Sequence, residues 1–147
     1  MRIRRLRLGE LVVLAGVAGV VVALTLPWYE NLQGKLNAWD TFGFGVVLLV
    51  IAATVGLVLV LATLAERSTA LPVAAAVWST FFGLLGVVAA VVRLLERPDH
   101  AYRLCAGAWV ALAGTILILA GSWQSMRDER TGLYPPAEPE PRPPAGS

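Results

Sequence analysis

The run Phe42–Ala65, FGFGVVLLVIAATVGLVLVLATLA, contains no charged side chain, and its reading decides the fold. A helix rises about 1.5 Å per residue and the hydrocarbon core of a bilayer is about 30 Å thick, so roughly 20 apolar residues cross it. This stretch is long enough. Three more apolar stretches accompany it, Leu11–Leu26 before it and Ala70–Val92 and Leu104–Trp123 after it. The four occupy more than half of the 147 residues, and the whole chain is 57% hydrophobic and 15% charged. Soluble domains carry about 25% charged residues, so this composition belongs to a chain solvated largely by lipid.

The expected architecture is an all-α integral membrane four-helix bundle with antiparallel up-down topology. Its spans run over about 8–28, 42–65, 70–92 and 104–123 within a transmembrane domain of residues 1–130. The first apolar run is short, and Leu8, Gly9, Pro27, Trp28 and Tyr29 extend it to the two interfaces. With four arginines ahead of it, it also has the outline of a signal peptide. Ala23-Leu24-Thr25 makes a poor cleavage site inside the apolar run, so an uncleaved helix is expected.

Basic residues beside the spans set the orientation. With the N-terminus in the cytoplasm, Arg2, Arg4, Arg5, Arg7, Arg67, Arg127, Arg130 and Arg142 fall inside, and Lys35, Arg93, Arg97 and Arg103 outside. Both termini are therefore expected to be cytoplasmic. The three arginines of the second outer loop work against the rule. Lys35 is the only lysine among twelve basic residues, a bias that suggests a GC-rich bacterial source.

Glu66–Thr69 is too short for anything but a turn between antiparallel neighbours, with Ser68 or Thr69 as a cap and Pro72 tolerated in the first turn of the third helix. Asp40 is placed to cap the second helix, and Pro98-Asp99 to break and cap before the fourth. After residue 130 the sequence turns proline-rich, with six of the nine prolines beyond Tyr134. Residues 131–147 are expected to be a disordered tail of polyproline II character, and its Pro136–Pro139 and Pro141–Pro144 spacings match Pro-x-x-Pro.

Helices in lipid associate through close packing over small residues. Small residues recur at about 3.5-residue spacing in each span. Gly16 and Gly19 mark the first helix, together with Gly9, Val12 and Ala23; Gly56 marks the second, with Gly45, Leu49 and Ala52. Gly83 and Gly86 mark the third, with Ala76, Ser79 and Ala90. Gly107, Gly114 and Gly121 mark the fourth, with Ala111 and Ile118. The third and fourth helices, where the phase persists longest, are expected to use these faces as packing surfaces.

Few residues suggest chemistry. Apart from tryptophans, only Thr25, Thr54, Thr63, Ser79, Thr80 and Thr115 are read as interrupting the apolar runs, so ion- or proton-coupled transport has no evident machinery. These hydroxyls are expected to bond to carbonyls of their own helix. Glu10 invites comparison with the small multidrug resistance transporters, short four-helix proteins with an essential glutamate in helix one. Following four arginines closely and preceding the apolar run, it reads instead as an interfacial partner for arginine.

Arg93, Arg97 and Arg103 form a possible outer contact for an anion or headgroup, against the simpler reading of snorkelling side chains. His100 has no evident nucleophile to activate, and Cys105 reads as an apolar filler. With one cysteine and one histidine, neither a disulfide nor a structural zinc site can form within the chain. Trp28, Tyr29, Trp39 and Trp123 read as interfacial aromatics, and Trp78 as a core residue whose indole N–H seeks a neighbouring threonine. Gly43-Phe44-Gly45 opens an apolar helix and is no nucleotide loop. No catalytic, cofactor or metal residues are assigned, and scattered basic residues give no support for nucleic acid binding.

Several short motifs carry a resemblance. They are the arginine-rich start with Gly9-Glu10-Leu11, Leu26-Pro27-Trp28-Tyr29, Trp39, and Gly121-Ser122-Trp123 leading to Met126-Arg127-Asp128-Glu129-Arg130. Over residues 1 to about 130 the chain resembles uncharacterised small four-pass membrane proteins of high-GC actinobacteria. The resemblance implies a four-helix membrane fold and no activity or cofactor. The expected function is that of a noncatalytic accessory or scaffold component of the bacterial inner membrane, in contact with lipid and with other membrane proteins or itself. A small oligomeric transporter or channel is the alternative, and a lipid-directed enzyme a third.

Overall fold

The computed structural model describes residues 8–41, 43–65, 70–96 and 103–131. Four long helices dominate it: α1 (Leu8–Thr25), α3 (Phe44–Ala65), α4 (Ala70–Leu95) and α5 (Ala106–Thr131). All four are long and apolar enough to cross a membrane, which is the pattern of a multi-pass membrane protein. The expected turns at Glu66–Thr69 and around Pro98-Asp99, and the tail from residue 132 onward, lie outside the described residues.

The helices close a ring in which α1 packs on α5 and α3, and α4 packs on the same two helices from the other side. Gly9 lies against Gly121 and Gly16 against Gly114, so α1 and α5 run in opposite directions. Ser79 meets Ser122 and Gly86 meets Thr115, which sets α4 against α5 in the same sense. Outward-facing positions such as Val21, Val47, Val58, Leu84, Val88 and Ile116 are apolar and between one-third and two-thirds exposed. An apolar exterior on helices this long is what lipid contact requires.

The all-α expectation needs correction at one end of the bundle. The first helix stops at Thr25 instead of reaching residue 28, and Pro27–Asn31 forms strand β1. It pairs antiparallel with β2 (Gly34–Asn37) and on its other edge with β3 (Arg103–Leu104), giving the order β2-β1-β3. The turn is built locally: the Asn31 side chain accepts the Gln33 amide at 2.9 Å, and Gly34 takes a φ of 142° that other residues rarely adopt.

Alternation then fixes the two faces. Leu36, Tyr29 and Leu104 form one row across the three strands, with Tyr29 fully buried and both leucines packed on the core. Lys35, Glu30 and Arg103 form the adjacent row. A period of two puts these rows on opposite faces, and the charged row therefore looks away from the helices.

Asp40 caps a different element from the one expected. Asn37 Oδ1 accepts the Asp40 amide at 3.1 Å and Asp40 Oδ2 accepts the Asn37 amide at 3.3 Å, a reciprocal capping box. It opens the four-residue helix α2 (Ala38–Thr41), a turn before α3. At the opposite end, α5 continues past Trp123 through the charged residues to Thr131, eight residues beyond the expected end of the span.

Candidate functional site

The closest approach in the bundle is the seam between α1 and α5. Glycines at seven-residue spacing, Gly9 and Gly16 on one helix and Gly107, Gly114 and Gly121 on the other, repeat on one face every two turns. A Cβ at Gly16 would stand 2.6 Å from the Gly114 carbonyl oxygen, and one at Gly121 would stand 2.6 Å from that of Gly9. Backbone touches backbone here. The small-residue face of α5, expected to be a packing surface, is thus one side of this seam, while that of α4 approaches its neighbour less closely: a Cβ at Gly83 would lie 3.2 Å from the Leu119 backbone. Gly86 faces Thr115 and Ala52, Gly56 faces Val17 and Val13, and Gly19 has Gly114 no nearer than 3.4 Å.

Gly107 faces an aromatic side chain instead of a helix. Trp28 lies over it, with Cδ1 2.6 Å from where a Cβ would be. The Trp28 indole donates to the Ala23 carbonyl at 2.8 Å, satisfying one of the carbonyls that the end of α1 leaves open. Its neighbour Tyr29 donates its hydroxyl to the Arg93 carbonyl near the end of α4 at 2.6 Å. Both side chains are fully buried, so the interfacial-belt reading of Trp28 and Tyr29 is corrected: they plug the sheet end from within and join two helix termini. Trp39 and Trp123, from the same set, are 61% and 57% exposed.

Among the described residues, five polar side chains are buried: Glu10, Ser79, Thr115, Ser122 and Ser125. Thr25, Thr54, Thr63, Thr80 and Thr115 return their hydroxyls to carbonyls three or four residues back, the local bonding expected of them. Ser79 departs from it. Its Oγ lies 2.6 Å from Ser122 Oγ, a bond between α4 and α5 closed off from the surroundings. One turn farther along α5, Ser125 Oγ donates to Glu10 Oε1 at 3.0 Å.

Glu10 is only 3% exposed, so its carboxylate lies within the helix packing at the end of the bundle where α1 begins. The sequence reading passed over Ser122 and Ser125. Their signal is adjacency to Gly121, whose face packs against α1: Ser122 follows it directly and Ser125 lies one turn beyond it.

Of the three arginines of the possible outer anion contact, Arg93 and Arg103 are among the described residues. Arg97 and His100 lie outside the described residues. Arg93 is half-buried near the end of α4, where its carbonyl serves Tyr29. Arg103 sits on β3 beside Glu30, with Lys35 on the other side, so its row already carries the compensating acid. Trp78, expected in the core, is 57% exposed and stacks on Phe82 at 5.9 Å between ring centroids.

Cys105 is half-buried, and its amide extends the sheet by donating to the Trp28 carbonyl at 2.8 Å. Among the described residues, no three His, Cys, Asp or Glu side chains gather closely enough to hold a metal ion. In comparisons with known proteins, no family model, no curated protein and no solved structure matches the chain.

Proposed function

We propose that this chain is a noncatalytic, multi-pass protein of a bacterial plasma membrane, an accessory or scaffold component that acts through its lipid- and partner-facing exterior. The observation that carries the reading is the closure of the interior. Along α1 and α5 the glycine backbones leave no space between them, and the described bonds of the buried polar groups run to one another or to helix carbonyls. A transport path needs polar groups lining an opening, and a catalytic site needs a reactive group aimed into one. The orientation follows from the arginine count, with the N-terminus, the residues between α3 and α4 and the C-terminus in the cytoplasm and the three-stranded sheet outside.

Purified protein reconstituted in vesicles tests this reading. Ion and small-solute flux equal to that of empty vesicles, together with specific cross-linking to a membrane protein in mildly solubilised native membranes, is the expected result. Flux above the empty-vesicle level would overturn it in favour of the oligomeric transporter or channel. Glu10 is the residue to substitute in that case, since it is the described acid buried between two helices.

A further inference from the structure

Four of the five tryptophans are more than half exposed, and they fall at two levels. Trp39 and Trp109 lie at the sheet end, at 61% and 57% exposure. Trp78 and Trp123 lie toward the other end, both at 57%. The Ser79–Ser122 bond fixes the second level, because Trp78 and Trp123 are each one residue beyond it on antiparallel helices, about 1.5 Å of rise in the same direction. Trp28, by contrast, is buried and gives its indole N–H to Ala23. Among the described residues, the four exposed indoles have no acceptor.

An indole N–H in pure hydrocarbon would be an unsatisfied donor, which is why exposed tryptophans of membrane proteins collect where the ring stays in the apolar layer and the N–H reaches the ester carbonyls. The spacing fits. Trp109 and Trp123 are fourteen residues apart on α5. That separation corresponds to about 21 Å of helix, against about 30 Å of hydrocarbon. Each ring then needs about 4 to 5 Å to reach the edge, within the length of an indole side chain pointing toward it.

We infer that Trp78 and Trp123 are lipid-contact residues that mark one boundary of the hydrocarbon layer, their indoles donating to the ester region of the leaflet on the side of the chain termini, with Trp109 and Trp39 marking the other. This rests on the membrane reading above and adds a position to it. Gly9 packs against Gly121 and Ser125, so Glu10 stands at the Trp78–Trp123 boundary, and α5 from Gln124 onward leaves the hydrocarbon as a helix. Glu10 is then a buried contact at the edge of the membrane, away from its midplane.

The test is tryptophan depth in reconstituted vesicles. Variants of the full chain keep Trp28 and one other tryptophan, with phenylalanine at the rest, and are quenched by phospholipids brominated at successive acyl positions. The expected result is that Trp78 and Trp123 share one depth and are quenched best by the shallowest bromines. Strongest quenching of Trp78 by the deepest bromines would overturn the inference while leaving the membrane reading intact. Absence of lipid quenching at Trp78 alone, with Trp123 quenched, would also overturn it, by showing that another protein surface covers that face. Absence at every exposed tryptophan would overturn the membrane reading itself.

Discussion

Gly16 and Gly114 oppose each other so closely that each carbonyl oxygen occupies the place of the other residue's missing Cβ, at 2.6 and 2.9 Å. Apolar attraction cannot hold helices together in lipid, where the tails are as apolar as the side chains, so contact area between backbones has to do it. Seven residues away in each helix, Gly9 and Gly121 repeat the arrangement. The first and last helices are thereby joined across the whole chain.

The seam makes a graded prediction. Gly16→Ala should destabilise the bundle by about 1–3 kcal/mol, because the added methyl meets backbone atoms that must move. Gly114→Leu should be worse. Gly19→Ala, whose nearest neighbour is at ordinary van der Waals distance, and Val88→Leu, on the exterior, should each stay within about 0.5 kcal/mol. Reversible unfolding in mixed micelles measures the difference, and equal tolerance of all four would remove the seam from the account.

Tyr29→Phe isolates the bond to the Arg93 carbonyl. The ring still fills its buried site, but a helix-end carbonyl loses its donor, and a loss of about 1–3 kcal/mol is expected. A thermal shift in detergent, compared with Leu32→Ala at the exposed hairpin tip, checks it.

Ser79 and Ser122 predict a coupling that single substitutions will not reveal. A double-mutant cycle of Ser79→Ala and Ser122→Ala should give a coupling energy of about 0.6 kcal/mol, the usual size for hydroxyl bonds between membrane helices. A coupling near zero would mean that each hydroxyl returns to its own helix.

The helix faces and the sheet also show how far the sequence could be read. The spans were legible because only lipid tolerates twenty uncharged apolar residues in a row. The glycine faces were legible because small residues recurred at helical spacing. Which faces met was not, since spacing within one helix carries no information about its partner, and so the α1–α5 seam was not singled out as the closest approach. The sheet was hidden for a different reason. Trp28 and Tyr29 have the composition of an interfacial belt, and only the pairing of Asn31 with Gly34 and of Tyr29 with Leu104 turns the same residues inward.

Glu10 and Ser125 yield a substitution pattern. Glu10→Gln keeps an oxygen that can accept the Ser125 hydroxyl, whereas Glu10→Leu leaves a buried hydroxyl with one acceptor fewer. The first should be the more stable variant, by about 1–3 kcal/mol. Unfolding in micelles at one fixed pH distinguishes them.

The claim on which everything else rests is that the four helices cross a bilayer and leave the sheet on the side opposite the termini. Single cysteines placed in a Cys105→Ser background, Leu32→Cys at the 94% exposed hairpin tip and Ser147→Cys at the end of the chain, test it with a membrane-impermeant maleimide. The account predicts labelling of Leu32→Cys on intact cells and of Ser147→Cys only after the membrane is opened. Labelling of both positions, or of Ser147→Cys alone, on intact cells would contradict it.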